Sequence, residues 1–470
     1  MVFSTHIFLL LFLPVSVLLY FLVPPRAKNL TLLLISIVFY AWGAPRFVLL
    51  LLLATTAAYY LVRRMHRTAN PTAKKLLCAT ALTIPLTLLL YFKYANFFID
   101  NLNSLLTIAG SSPMKWTRVV LPIGISFFTF QIITYIIDVY RETVKPMEHL
   151  TGFLLYIMMF PQLIAGPIVR YGDIASQIDR RETHWGKILQ GWYRFVIGLC
   201  KKVLIADVLG RWVDTVLLNG IGALDCGMAW LAILAYTMQL YFDFSGYSDM
   251  AIGLGKIFGF DFPENFNSPY NSASVGEFWH RWHITLGTFM KHYLYIPLGG
   301  NRKSPARTYC NLWTVFLLSG LWHGAGWNFV VWGAWHGFWL VAERLGLRRV
   351  YEKIGKIPSV LFTSLVVIVG WVFFRIEDLG EAIQFIGTLF SFRFSSPDIG
   401  SEALQILCLA LLFSYIGLTA WGRELERKLY YHDWTLKENF LLWPLSMFLL
   451  MFCVGALGAV SFSPFIYFRF

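Results

Sequence analysis

Uninterrupted apolar runs separated by short polar breaks dominate this chain. The first four lie at about Ser4–Val23, Lys28–Trp42, Phe47–Val62 and Leu76–Tyr91. Others follow at Arg118–Tyr140, Leu150–Ile168, Met228–Phe242, Pro358–Phe374, Ala403–Thr419 and Phe440–Phe468. Most approach the roughly 20 apolar residues that carry an α-helix across the hydrocarbon of a bilayer. The pattern predicts an all-α polytopic membrane protein with about 11–13 transmembrane or re-entrant helices. Short alternating strands, the mark of a membrane barrel, are not in evidence. Pro14 and Pro85 fall inside apolar runs and are expected to kink their helices. The segment FPQLIAGPIVRY sets two prolines and a glycine within a few residues, which predicts a broken or re-entrant helix. Such backbone is tolerated at membrane depth only where protein or a cavity surrounds it.

Composition agrees. The 470 residues are 57% hydrophobic and 14% charged, against about 25% charge in soluble domains. We expect a single integral-membrane body over residues 1–470. The net charge of +13 is concentrated in loops. Arg26 and Lys28 mark one basic connection, and Arg63–Lys75 is another. The positive-inside rule puts both in the cytoplasm, and with them the N-terminus and the Ala44–Arg46 turn outside. Attraction to membrane lipids or to an anionic donor is the alternative use of the excess charge. Nothing in the chain resembles a nucleic-acid platform. Arg170–Lys202 mixes cations with Trp, Tyr, Leu and Ile and predicts amphipathic helices at the cytoplasmic interface. The six cysteines form no CxxC pair and read as small hydrophobes. The N-terminus lacks a basic leader and a cleavage site, which predicts a retained first span. The closing FIYFRF follows a span directly, leaving no C-terminal soluble domain in this reading.

Tyr241–His336 departs from this pattern and is the candidate catalytic core. It holds YFDFSGYSDM, EFWHRWHITL, YLYIPLGGNR and SGLWHGAGWNFVVWGAWHG, with ionisable groups flanked by spans. Ionisable residues at membrane depth are costly and usually functional. Ser274 to Glu277 has the spacing of a capping box, predicting one helix through FWHRWHITLGTFMKHYLYI. On that helix Trp279, His280 and His283 share a face. His283 is either chemical or a satisfied structural histidine. The His280–His283 spacing lacks a third ligand, so no metal is expected. His323 follows an apolar run, with Gly320 and Gly324 close by to admit backbone or substrate. A neutral buried histidine suits a general base. His336 reads as structural. Asp243 and Asp249 read as acids, ligands or buried partners of Arg281, and Asn311 as a substrate contact or a helix cap. No nucleophile elbow, phosphate loop or dinucleotide fingerprint is present. A histidine with no evident serine partner suits transfer chemistry, in which it deprotonates an external hydroxyl that attacks an activated acyl group.

QLYFDFSGYSDMAIGLGKIFGF, NFNSPYNSASVGEFWHRWHITL, YLYIPLGGNRK and GLWHGAGWNFVVWGAWHG resemble the membrane-bound O-acyltransferase family. MVFS, YFKYANF, LPIGISFFTFQIITYIIDVYR and FPQLIAGPIVRY match as well, so the likeness spans essentially the whole chain. It is nearest the branch that acetylates alginate, cellulose or peptidoglycan, or transfers D-alanine to teichoic acid. The resemblance implies a ring of helices around a central funnel. It puts the family's catalytic WHG histidine on His323 and its second histidine on His283. It implies a cytoplasmic thioester donor, acetyl-CoA or a similar compound, with no bound cofactor. A periplasmic SGNH-type acetyltransferase partner would complete transfer to the polymer, and the protein would sit in the bacterial inner membrane. Trp322, Trp282, Arg281, Lys291, Asp243 and Asn311 are the accompanying candidates for substrate contact. The family commonly carries Arg at position 280 and Arg-Asp at 291–292, where this chain has His280 and Lys291-His292. An aspartate role at 292 therefore does not carry over. The alternatives from other classes are a polytopic transporter, which would show inverted repeats, and a scaffold of a polysaccharide-secretion complex.

Overall fold

The structure is a computed structural model describing residues 2–394, 399–459 and 464–466. The end of the last expected span, from Tyr467 onward, lies outside them. Helices are the regular elements of the described residues, with one isolated bridge between Phe266 and Trp282 in place of a sheet. In chain order they are α1 Leu13–Leu22, α2 Lys28–Gly43, α3 Val48–Arg67, α4 Pro71–Leu89, α5 Ala95–Ile108, α6 Ile125–Tyr140, α7 Leu150–Met158, α8 Phe160–Leu163 and α9 Tyr171–Asp179. There follow α10 Trp185–Cys200, α11 Asp207–Leu218, α12 Cys226–Ile257, α13 Val275–Arg281, α14 Ile284–Met290, α15 Pro305–His323 and α16 Trp327–Ala342. The last are α17 Arg348–Ile354, α18 Lys356–Arg375, α19 Leu379–Leu389, α20 Ser401–Tyr415, α21 Ala420–Tyr431 and α22 Leu436–Ala459. By length and composition, five of the described helical segments suffice to cross a membrane: Pro45–Arg67, Pro71–Ile108, Lys356–Arg375, Ser401–Leu418 and Leu436–Ala459. α1 with its preceding turn, and α6, are shorter apolar helices. The protein is a multi-pass, all-α membrane protein.

The chain divides into two compact units, residues 1–183 with 258–263, and 184–257 with 264–470. In the first, Pro14 is met by a change of helical pitch, while Pro85 lies inside the continuous helix α4. Pro14 follows a π-helical turn at Phe8–Phe12, and Pro85 precedes one at Leu90–Tyr94. A wider turn accommodates a missing i→i−4 bond without ending the helix. The second π turn carries α4 directly into α5, so ANFFIDNL continues the same helical segment. The FPQLIAGP break falls at Met159, between α7 and α8. Its freed backbone is met by protein: Ser36 Oγ accepts from Phe160 N at 3.1 Å, and Tyr156 OH donates to Val169 O at 2.9 Å.

In the second unit, α10 and α12 touch backbone to backbone. A Cβ at Gly191 would stand 2.5 Å from Gly253 O, and one at Gly198 would stand 2.5 Å from Gly246 O. Only glycine permits that approach. It brings the cations of α10 and its continuation against the acids of α12. Arg194 pairs with Asp249 at 2.9 Å and also with Glu264. Lys201 pairs with Asp249 at 2.6 Å, and Lys202 pairs with Asp207 and Asp243, each at 2.7 Å. Arg194 and Lys202 are 5% and 3% exposed, so this part of Arg170–Lys202 is buried and paired, not a solvated interfacial face. The partners of Asp243 and Asp249 are thus Lys202, Arg194 and Lys201; Arg281 instead pairs with Glu277 at 2.8 Å. Because its acids are neutralised, FDFSGYSD runs within one 32-residue helix and does not end a span.

Candidate active site

The capping box forms as the spacing predicts. Ser274 Oγ accepts from Glu277 N at 3.0 Å, and Glu277 reaches back to Ala273 N at 2.8 Å. Glu343 reinforces this start by accepting from Val275 N and from Gly276 N at 2.5 and 3.0 Å. Burial raises the Glu343 carboxyl above its usual range, although both N–H groups hold it down.

The helix does not continue through His283. α13 stops at Arg281, Trp282 is extended, and His283 takes a left-handed conformation at φ 46° and ψ 53°. The cause is a strip of backbone from earlier in the chain that lies beside it: Asn267 N donates to Arg281 O at 2.9 Å, and Ile284 N donates to Asn265 O at 3.0 Å. Asn265 itself is buried, and its side chain donates to Ser248 Oγ at 3.0 Å and accepts from Thr285 Oγ1 at 2.9 Å. The expected common face of Trp279, His280 and His283 therefore does not exist. His280 is exposed and its Nδ1 lies 2.6 Å from Gly276 O, whereas His283 is 1% exposed.

His323 sits on the last turn of α15, held there by a second glycine contact. A Cβ at Gly320 would stand 2.2 Å from Phe329 O, and one at Gly333 would stand 2.3 Å from Phe316 O. α15 and α16 thus pack at backbone distance. His323 is 3% exposed, and its Nδ1 lies 2.6 Å from Ser319 O. A carbonyl oxygen only accepts, so Nδ1 carries the proton and Nε2 holds the basic lone pair. The ring is bordered by Trp322, Trp332 and Phe374, with centroids at 4.9, 4.8 and 5.6 Å.

The break turns His283 toward this ring. Its centroid lies 6.5 Å from that of His323, 5.9 Å from Trp322 and 4.7 Å from Phe244. Trp282 faces the other way, between Phe278, Trp371 and Phe266 at 5.5, 5.0 and 5.1 Å. Of the residues singled out in the sequence, His283, His323 and Trp322 converge. Asp243 is tied to Lys202 and accepts from Ile466 N at 2.7 Å. Arg281 bonds Glu277 and Asn267 O, Lys291 is exposed, and Asn311 Nδ2 clamps the GGN turn through Gly300 O at 2.9 Å. His336 is fully buried between Trp279 and Trp332, its Nε2 pressed toward Gly370. Sequence reasoning missed Asn265, Phe244 and Trp332. Asn265 carries the one legible signal, an asparagine in an otherwise unexplained polar link, NFNS. Asn265, Phe266 and Asn267 also line a cavity of 570 Å³ with Arg194, Tyr241 and Tyr430.

A base of fixed tautomer, a second imidazole beside it and an aromatic enclosure form a site suited to deprotonating a hydroxyl away from bulk water. The profile of the "MBOAT, membrane-bound O-acyltransferase family" matches residues 141–355, which include both histidines. A probable alginate O-acetylase AlgI of Pseudomonas putida is 42% identical, covering 100% of each chain. The chain belongs to the membrane-bound O-acyltransferase family. A similar protein of Pseudomonas aeruginosa, also a probable alginate O-acetylase, is 47% identical over 83% of this acyltransferase and 75% of its own length. A peptidoglycan O-acetyltransferase of Helicobacter pylori is 37% identical over 82% of this acyltransferase and 79% of its own length. Together these place the acyltransferase among membrane O-acetyltransferases.

Proposed function

We propose that this acyltransferase takes an acetyl group from a cytoplasmic thioester donor, acetyl-CoA or a similar compound, and passes it across the inner membrane for O-acetylation of an extracytoplasmic polysaccharide of alginate, cellulose or peptidoglycan type. The observation that carries the reading is the His323 Nδ1–Ser319 O contact at 2.6 Å, which leaves Nε2 as the base. The hydroxyl of the acceptor gives its proton to Nε2 as its oxygen attacks the thioester carbonyl carbon. The C–S bond breaks, the acetyl group remains on the acceptor oxygen, and the imidazolium returns its proton to the departing thiolate. His283 positions the reacting groups or shares the proton, and Trp322 walls the same space. Arg281 and Lys291 assist the anionic donor from outside the histidine pair. The immediate acceptor is a hydroxyl of the polymer or of a periplasmic SGNH-type partner that completes transfer. The basic loops at Arg26–Lys28 and Arg63–Lys75 support a periplasmic N-terminus. The test is incubation of the purified protein and its partner with radiolabelled acetyl-CoA. Label transfer that is lost in His323→Ala and His283→Ala supports the reading; transfer that persists in both removes it.

A further inference from the structure

Cys200 and Cys453 stand 253 residues apart in the chain, and their Sγ atoms lie 3.6 Å from each other. Cys200 ends α10 and Cys453 lies in α22, both within the second compact unit. Both are free thiols. The other four cysteines are placed differently. Cys226 donates to Leu389 O at 3.1 Å, Cys78 is buried in the first unit, and Cys310 and Cys408 are exposed.

The helix that carries Cys453 is held by one edge. Ser446 and Cys453 are the buried residues among the 24 of α22. Ser446 Oγ accepts from Trp192 Nε1 of α10 at 3.0 Å, and Cys453 meets Cys200 of the same helix. About two helical turns separate Ser446 from Cys453, so they share the edge of α22 that rests on α10. The same two helices wall the cavity of 570 Å³: Ile197 and Cys200 from α10, Leu449 and Phe452 from α22, together with Asn265 and Asn267. Cys200 therefore borders open space, while Cys453 is 0% exposed. A reagent entering the cavity meets Cys200 first and finds the second thiol within reach of the first.

We propose that Cys200 and Cys453 form a reversible disulfide site that latches α22 onto α10 and fixes that wall of the cavity. A disulfide sets its sulfurs at about 2.0 Å. Rotation of the two thiols and a small slide of a helix held by one edge close the difference. The Cys200 thiolate attacks one sulfur of a membrane-permeant disulfide, whose S–S bond breaks and releases one half as a thiolate. The Cys453 thiolate then attacks Sγ of Cys200 in the mixed disulfide and expels the other half. The two cysteines give up two electrons and two protons, and the oxidant takes both and leaves as two thiols. The new bond spans 253 residues of chain, so it removes much of the freedom of the unfolded state.

Membranes holding the full wild-type chain are treated with dithiodipyridine, an uncharged disulfide, and the remaining thiols are blocked with N-ethylmaleimide. The protein is purified and digested without reductant for mass spectrometry. The expected product is a linked peptide pair carrying Cys200 and Cys453, lighter by two hydrogens than the separate peptides. It should disappear after dithiothreitol and be absent from Cys200→Ala. Oxidised wild type should unfold about 5 °C or more above the reduced protein, and Cys200→Ala should show no such shift after the same treatment. Recovery of Cys200 and Cys453 unlinked, while Cys310 and Cys408 carry the reagent, would make the thiols an apolar packing contact and overturn the proposal. A linked pair that leaves the unfolding temperature unchanged overturns the latch. Neither readout involves acyl transfer, so the result stands apart from the proposed reaction.

Discussion

The imidazoles of His283 and His323 lie 6.5 Å apart, centroid to centroid, at an interplanar angle of 76°. One sits at a break between two short helices and the other on the last turn of a long one. The pair is assembled by two unrelated devices: a backbone strip that halts α13, and a glycine contact that seats α15 on α16.

His323→Ala is expected to lower acetyl transfer by about 10²–10⁴-fold, the usual contribution of a general base. Membrane abundance by immunoblot should stay near wild type, because the alanine removes a ring from an aromatic cage and leaves the backbone contact of α15 with α16 in place. Normal polymer acetylation in this variant would falsify the catalytic assignment.

Asn265→Ala removes the bonds to Ser248 and Thr285 and leaves buried polar groups without them. The expected loss is about 1–3 kcal/mol of stability. A fall in kcat with an unchanged donor KM is also expected, since His283 is displaced while donor contacts remain. Thermal unfolding in detergent and a steady-state transfer assay read the two effects. A wild-type kcat would mean that the strip does not position His283.

Gly320→Ala and Gly333→Ala each force a methyl group against a backbone carbonyl. Overpacking of this kind costs about 1–3 kcal/mol. Gly387→Ala, with nothing within 4 Å of the new Cβ, is the control and should lose nothing. Equal unfolding temperatures for all three would remove the backbone-contact account of the α15–α16 pair.

Lys202→Ala strands two buried acids, Asp207 and Asp243. Breaking a buried pair costs about 3–5 kcal/mol, so this variant should accumulate poorly or unfold at markedly lower temperature. Arg427→Ala, which breaks the exposed pair with Glu424, should be silent. Similar behaviour of the two variants would contradict the buried network.

Local signals were legible in the sequence wherever their physics is local. Apolar runs marked the spans, the Ser274–Glu277 spacing marked the start of α13, and the two prolines of FPQLIAGP marked the break at Met159. His323 could be picked out because its glycines are neighbours in sequence. The rest depends on distant partners. No periodicity reveals that α13 ends at Arg281, because the atoms that end it belong to Asn265 and Asn267. Nor does the polar content of FDFSGYSD show that α12 runs on. The cations that neutralise its acids sit on and just beyond α10, and only the opposed glycines bring them within reach.

The break at Trp282–His283 makes loop length a chemical variable. The extended Trp282 and the left-handed His283 face different neighbours, so a one-residue slip would exchange which of them meets His323. Here Trp282 fills the aromatic packing and His283 meets His323. An insertion or deletion between Asn267 and Arg281 would leave α13 and α15 able to form and would offer the tryptophan where the histidine belongs. Connections of this kind usually tolerate changes of length. This one behaves as a reading frame, in which a gain or loss of one residue costs the reaction before it costs the fold.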